Sequence, residues 1–82
     1  MVSSAEVPAE MLDLDHLPAD RRAERLARVF LSLSRGEMFW VTGCGQPRHY
    51  EHFLHQRFPG EVEWVADFAA DGRWIARVTK AA

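Results

Sequence analysis

Residues 36–60, GEMFWVTGCGQPRHYEHFLHQRFPG, constrain the fold more than any other part of the chain. Glu37-Met38-Phe39-Trp40-Val41-Thr42 is a run of aromatic, aliphatic and β-branched residues with no breaker, which suits a pleated strand. Gly43-Cys44-Gly45 then frees the backbone for a positive φ or a close approach. Pro47 lacks an N–H and has its φ already near the helical value, so it fits the first position of a helix. Tyr50, Phe53, Leu54 and the Arg57/Phe58 step recur at helical spacing and make one inward stripe. Pro59-Gly60 ends that helix. The stretch therefore reads strand, glycine loop, helix, stop.

The flanks extend the pattern. Residues 11–15 (MLDLD) alternate, with Leu12 and Leu14 on one side of a short strand. Leu17-Pro18 turns into a long helix ending near Ser34, with Ala23, Leu26, Ala27, Phe30 and Leu33 as its buried stripe. Gly36 is expected as its left-handed cap. Two strands follow the central stretch. Residues 61–68 place Val62, Trp64, Ala66 and Phe68 on one face, and residues 73–79 place Trp74, Ala76 and Val78 on one face. Pairing the two inward sets opposes Phe68 to Trp74, Ala66 to Ala76 and Trp64 to Val78. Ala69 then pairs with Arg73, and a three-residue loop, Ala70-Asp71-Gly72, has glycine where the backbone must be left-handed. The same register sets Asp67 diagonally near Arg73 and Arg77 on the outer face. Strand, helix, strand, helix, strand, strand with right-handed crossovers is an α/β two-layer sandwich, βαβαββ, both helices lying on one sheet face.

Eighty-two residues with a net charge of −2 make one small domain. A chain of this length buries roughly 60–65% of its unfolded surface, so five Phe, three Trp and one Tyr matter to the core. The charge argues against a general nucleic-acid binder, which would carry a basic stripe. A single cysteine forms no internal disulfide and fits a reducing, cytoplasmic setting. No apolar run approaches the ~18 residues of a membrane span, so no membrane association is expected. The start, MVSSAEVPAEM, lacks the basic and apolar regions of a signal peptide, and residues 1–10 read as a flexible tail ahead of a domain at 11–80.

Chemistry-bearing residues gather in the central stretch. Cys44 precedes a helix N-terminus, where a thiol is activated by the dipole; the plainer reading is a small residue filling a tight corner. His49, His52 and His55 follow at spacings of three and fan over about 120° of the helix, mostly opposite Tyr50 and Phe53. They lack the i,i+4 spacing of a tight ligand pair, which Glu51 and His55 do have. A transition-metal site would combine Cys44 with His49 and His52, and His16 could join if the first strand ends beside the Cys44 loop. No resident cofactor is expected. Gly43, Gly45 and Arg48 outline an anion cradle at the second helix, with neither P-loop nor dinucleotide spacing. No Ser-His-Asp set, no paired carboxylates and no acid–base pair suggest an enzyme.

The element order, with Leu12-Asp13-Leu14-Asp15-His16-Leu17-Pro18, Arg35-Gly36-Glu37, Phe58-Pro59-Gly60 and Val62-Glu63-Trp64, resembles the TusA/SirA-like family. It is closer to an uncharacterised branch reading L-D-x-R-G-L-P-P, P-G-E, N-D-H-D-P and a hydrophobic-Pro-Gly followed by F-x-W. The resemblance covers Met11 to about Lys80 and implies a mixed four-stranded sheet of order 1-2-4-3, the last strand antiparallel to the others. Relatives of the branch often occur with hemerythrin-like and other redox proteins. Two departures bear on chemistry. Ala19-Asp20 stands where sulfur carriers have Cys-Pro, so no persulfide forms there. Gly43-Cys44-Gly45-Gln46-Pro47 stands where the branch has N-D-H-D-P.

The leading functional expectation is a small non-catalytic TusA/SirA-like module acting through protein–protein interaction, in a redox-related context. Its docking surface is the uncovered sheet face, with Met38, Trp40, Val65 and Ile75 as an apolar strip bordered by Glu63, Asp67, Arg73 and Arg77, taking a protein partner or a second copy. The alternative is a metal-binding or redox-sensing module using Cys44 and the His49/His52 helix. A third is a sulfur carrier through Cys44.

Overall fold

A computed structural model describes residues 11–68 and 72–81. Its elements are β1 (Met11–Asp13), α1 (Arg22–Leu31), β2 (Met38–Cys44), α2 (Pro47–Arg57), β3 (Val62–Phe68) and β4 (Arg73–Lys80). The four strands form one mixed sheet of order β1-β2-β4-β3, and the fold is the expected α/β sandwich. β1 runs parallel to β2, while β4 is antiparallel to both β2 and β3. In the hairpin Phe68 opposes Trp74, Ala66 opposes Ala76 and Trp64 opposes Val78, the register that the two inward sets require. Gly72 has φ +84°, the left-handed backbone the turn needs. The tail at 1–10, Ala69 with its pairing to Arg73, and loop residues Ala70 and Asp71 lie outside the described residues.

Local hydrogen bonds explain where element boundaries depart from expectation. β1 stops at Asp13, short of residue 15, because the Asp13 carboxylate accepts the Asp15 N–H at 3.0 Å. That turn feeds a 3-10 segment, Leu14–His16, and carries Leu14 into the core at 1% exposure. A second 3-10 turn, Ala19–Arg21, follows Pro18, so α1 begins at Arg22. It ends at Leu31 rather than near Ser34, because the Ser32 hydroxyl donates back to the Val29 carbonyl at 2.6 Å. Ala23 and Leu33, at the two ends of the expected stripe, are only half-buried. Gly36, at φ +87°, is not the helix cap. It is the third residue of a turn closed by the Glu37 N–H on the Ser34 carbonyl at 2.9 Å, and the turn delivers the chain into β2.

The core lies between the sheet and the two helices. Leu14, Leu26 and Phe30 meet Phe39, Val41, Leu54, Phe58, Val62, Trp74 and Val78 in one cluster. Each large side chain buried there contributes about 1.5–3 kcal/mol relative to its exposed state. Trp74 is its largest fully buried member, with ring centroids 5.9 Å from Trp64 and 6.0 Å from Tyr50. α2 starts at Pro47 as its sequence dictates and buries Leu54; Phe58 caps its end, and Gly60 turns the chain away at φ +77°. Arg57 is exposed and lies 5.8 Å from the Phe58 ring centroid.

One expectation about the core fails. Ala66 and Phe68 share the helix-side face of β3, yet Ala66 is exposed and Phe68 is 70% exposed. The first turn of α2 stands off from this end of β3 and leaves a groove between them. Among the described residues the other sheet face carries no helix.

Candidate functional site

The parallel register of β1 and β2 sets Asp13 beside Thr42. β2 continues through Gly43 and Cys44, which pair with Trp74 and Arg73 of β4. The ends of three strands, with the turn that follows β1, thus deliver Asp13, Asp15, Thr42, Cys44 and Arg73 to one corner of the sheet. Arg73 reaches across β2 and holds both carboxylates, Nη2 at 3.3 Å from Asp13 Oδ1 and Nη1 at 3.3 Å from Asp15 Oδ2. The Thr42 hydroxyl donates to the Trp74 carbonyl at 2.8 Å and accepts from Arg73 Nη2 at 3.4 Å. Cys44 is exposed, and both its thiol and its backbone N–H donate to the Asp15 carboxylate.

The electrostatics follow from those contacts. The Cys44 thiol bond does most to hold the Asp15 carboxyl below its ordinary value; partial removal from water opposes it, and the Cys44 N–H, Arg73 and Arg22 add to the lowering. For Arg73, desolvation works against the charge, but Asp13, Cys44 and Asp15 together raise its pKa further. This corner is a charge-paired clamp, one guanidinium between two carboxylates, that ties the short edge strand β1 to β4.

The sequence-derived site residues fall in different places. Cys44 lies in the clamp. His16 lies at the rim of the clamp, its side chain 84% exposed and its Nδ1 3.7 Å from Asp13 Oδ2, and Asp15 takes the place beside Cys44 that His16 was expected to take. His49 and His52 are exposed on α2, His49 packing its ring edge-on against Tyr50 at 5.1 Å. His55 Nε2 lies 3.6 Å from Glu51 Oε2, the pair their spacing suggests. Among the described residues no three His, Cys, Asp or Glu side chains converge as a metal would require.

The three residues of the anion cradle have different local settings. Gly43 is a buried residue of β2, not a loop glycine: a Cβ there would lie 3.2 Å from the Trp74 ring, so its bare backbone makes room for the indole. Gly45, at φ +88°, is the glycine that turns the chain, and Arg48 is exposed at the mouth of the α2–β3 groove.

The uncovered sheet face is a grid fixed by register. One row reads Met11, Trp40, Arg77, Val65; the next reads Asp13, Thr42, Ile75, Asp67; Met38 lies beyond Trp40 on the same strand. Phe39 and Val41 are buried against the helices, which leaves Trp40 half-buried on the open side, as alternation requires. Two details of the expected strip change. Arg77 stands within it, between Trp40 and Val65, and Met11, 51% exposed, joins it at Trp40. Arg73 lies apart in the clamp, with Asp13 and Asp15 as its partners in place of Asp67. Asp13, Asp15 and Thr42 were not singled out from sequence; the alternation of LDLD, once β1 is laid parallel to β2, is the signal that brings them to Cys44.

No helix among the described residues is long and apolar enough to cross a membrane. No family model, curated protein or solved structure matches the chain.

Proposed function

We propose that this chain is a small, non-catalytic module of the TusA/SirA-like type that acts by protein–protein association through its open sheet face. The observation that supports it is Trp40: a half-buried tryptophan on the side without helices, neighboured by Met11, Met38 and, one row on, Ile75. Tryptophan and methionine are enriched in interface cores, and a contiguous patch of them is more often a contact surface than a solvated one.

Size decides the strength of the association. Three strands of seven or eight residues and the three-residue β1, about 4.8 Å apart, present a face on the order of 400 Å². A standard stable interface covers about 800 Å² per partner, so this face supports a weak, reversible complex. A second copy is the occupant we assign. The face holds Arg77 beside Glu63 and Asp67, so two copies turned about a two-fold axis can match acid to base around the apolar centre.

Trp40→Glu tests the reading. The side chain lies outside the helix-facing core, so the variant should keep its circular dichroism and lose no more than about 1 kcal/mol. Sedimentation equilibrium should show the wild type associating in the micromolar-to-millimolar range and the variant staying monomeric. A wild type that is monomeric throughout, or a variant that associates equally well, overturns the proposal.

A further inference from the structure

We infer that the edge strand β3 and the groove beside it accept an extended, basic peptide segment of a partner protein by strand addition. Among the described residues β3 is the last strand of the sheet, with β4 on one side only. Its hydrogen-bonding phase is fixed by the Ala81 N–H donating to the Glu61 carbonyl at 2.7 Å, which points residue 61 toward β4. Alternation then points Glu63, Val65 and Asp67 toward β4, and aims the N–H and C=O groups of Trp64, Ala66 and Phe68 outward. The Lys80 N–H donating to the Glu37 carbonyl at 2.9 Å shows the complementary phase on β4.

The three outward-facing residues also line the groove against α2. That groove holds about 500 Å³ between Arg48 and Glu51 on one wall and Trp64, Ala66 and Phe68 on the other. Phe68 is 70% exposed at its mouth. A free strand edge beside a helix-walled, partly aromatic groove offers main-chain hydrogen bonds together with pockets for alternate side chains, the two components of strand-addition recognition.

Charge selects the occupant. The exposed side chains on the other face of β3 are Glu63, Val65 and Asp67. In the central two-fold register a second β3 would set Glu63 against Asp67 of its partner and repel it, so this edge is guarded against self-pairing. The same two carboxylates, four residues apart, match a strand with Lys or Arg at positions four apart. Between and beside those, alternate positions must be apolar to enter the groove. The backbone edge and the groove lie apart from Trp40 and the apolar strip of the open face, although Glu63 and Asp67 border both surfaces.

The probe is a capped peptide, Thr-Lys-Val-Thr-Phe-Lys-Thr, titrated to 1 mM against the 15N-labelled chain. Its Val and Phe would face the groove with their N–H groups toward β3, and its central Thr N–H would face solvent. We expect the amides of Trp64, Ala66 and Phe68 to shift and to gain hydrogen-exchange protection. N-methylation at Val and Phe should abolish binding, whereas N-methylation at the central Thr should leave it within twofold. Replacing both Lys by Glu should weaken binding at least tenfold. The Trp40→Glu chain should bind as the wild type does. Absence of shifts at 1 mM, or equal binding by the Val/Phe N-methylated peptide or by the Glu peptide, overturns the inference.

Discussion

Trp74→Ala should remove about 3–5 kcal/mol, the cost of emptying a large aromatic site in a close-packed core. Trp74 has 0% exposure and is the middle ring of a stack with Tyr50 and Trp64, with Gly43 bare beneath it. Its surroundings cannot collapse easily, because Gly43 and Ala76 on the neighbouring backbone have no side chain long enough to enter the void. A domain of this length has a total stability of about 4–12 kcal/mol, so the variant should be largely unfolded or retain only a shallow urea transition. The urea midpoint by circular dichroism measures this. A loss below about 1 kcal/mol would mean that Trp74 is not the keystone of the packing described here.

Arg73→Glu is the second large effect, and it acts through the clamp. Arg73 holds two carboxylates at 3.3 Å each with its side chain only 32% exposed. Reversing its charge sets three carboxylates in one corner. Unlike an isolated surface pair, this one guanidinium serves two carboxylates, so the substitution should lower the melting temperature measurably at neutral pH. The pH dependence has a definite sign. Asp15 has its folded-state pKa lowered, so it binds its proton more readily in the unfolded chain. Its contribution is present above the unfolded pKa and is lost as pH falls through the folded one. The wild type should therefore lose stability through the acid range, while the variant, relieved of repulsion by the same protonation, should lose less. Melting temperatures from pH 7 to about pH 2.5 should converge. A gap that stays constant would show that the clamp contributes packing and not charge.

Much of the fold was legible because its signals are local and periodic. The alternation in β3 and β4 fixed the hairpin register, and Pro47 and Gly60 bracket α2 where their backbone preferences place them. What the sequence hid depends on contacts between distant elements. Gly43 reads as a loop glycine until Trp74, 31 positions later, is seen to occupy the space above it. Ala66 and Phe68 alternate as core residues do, yet alternation only assigns them a face and cannot say that α2 stops short of covering it. His16 lies on the segment expected to approach Cys44, but the Asp13-capped turn directs Asp15 there instead. Arg77 looked like a border because the order of rows across three strands is a property of the whole sheet.

Association through the open face can be followed in a dilution series of 15N-labelled protein by its amide and indole resonances. Concentration-dependent shifts are expected at the Trp40 indole and at Met11, Met38, Ile75 and Arg77, with α1 and α2 unmoved. Resonances that do not change from about 20 μM to 1 mM, or changes confined to the helices, would contradict it.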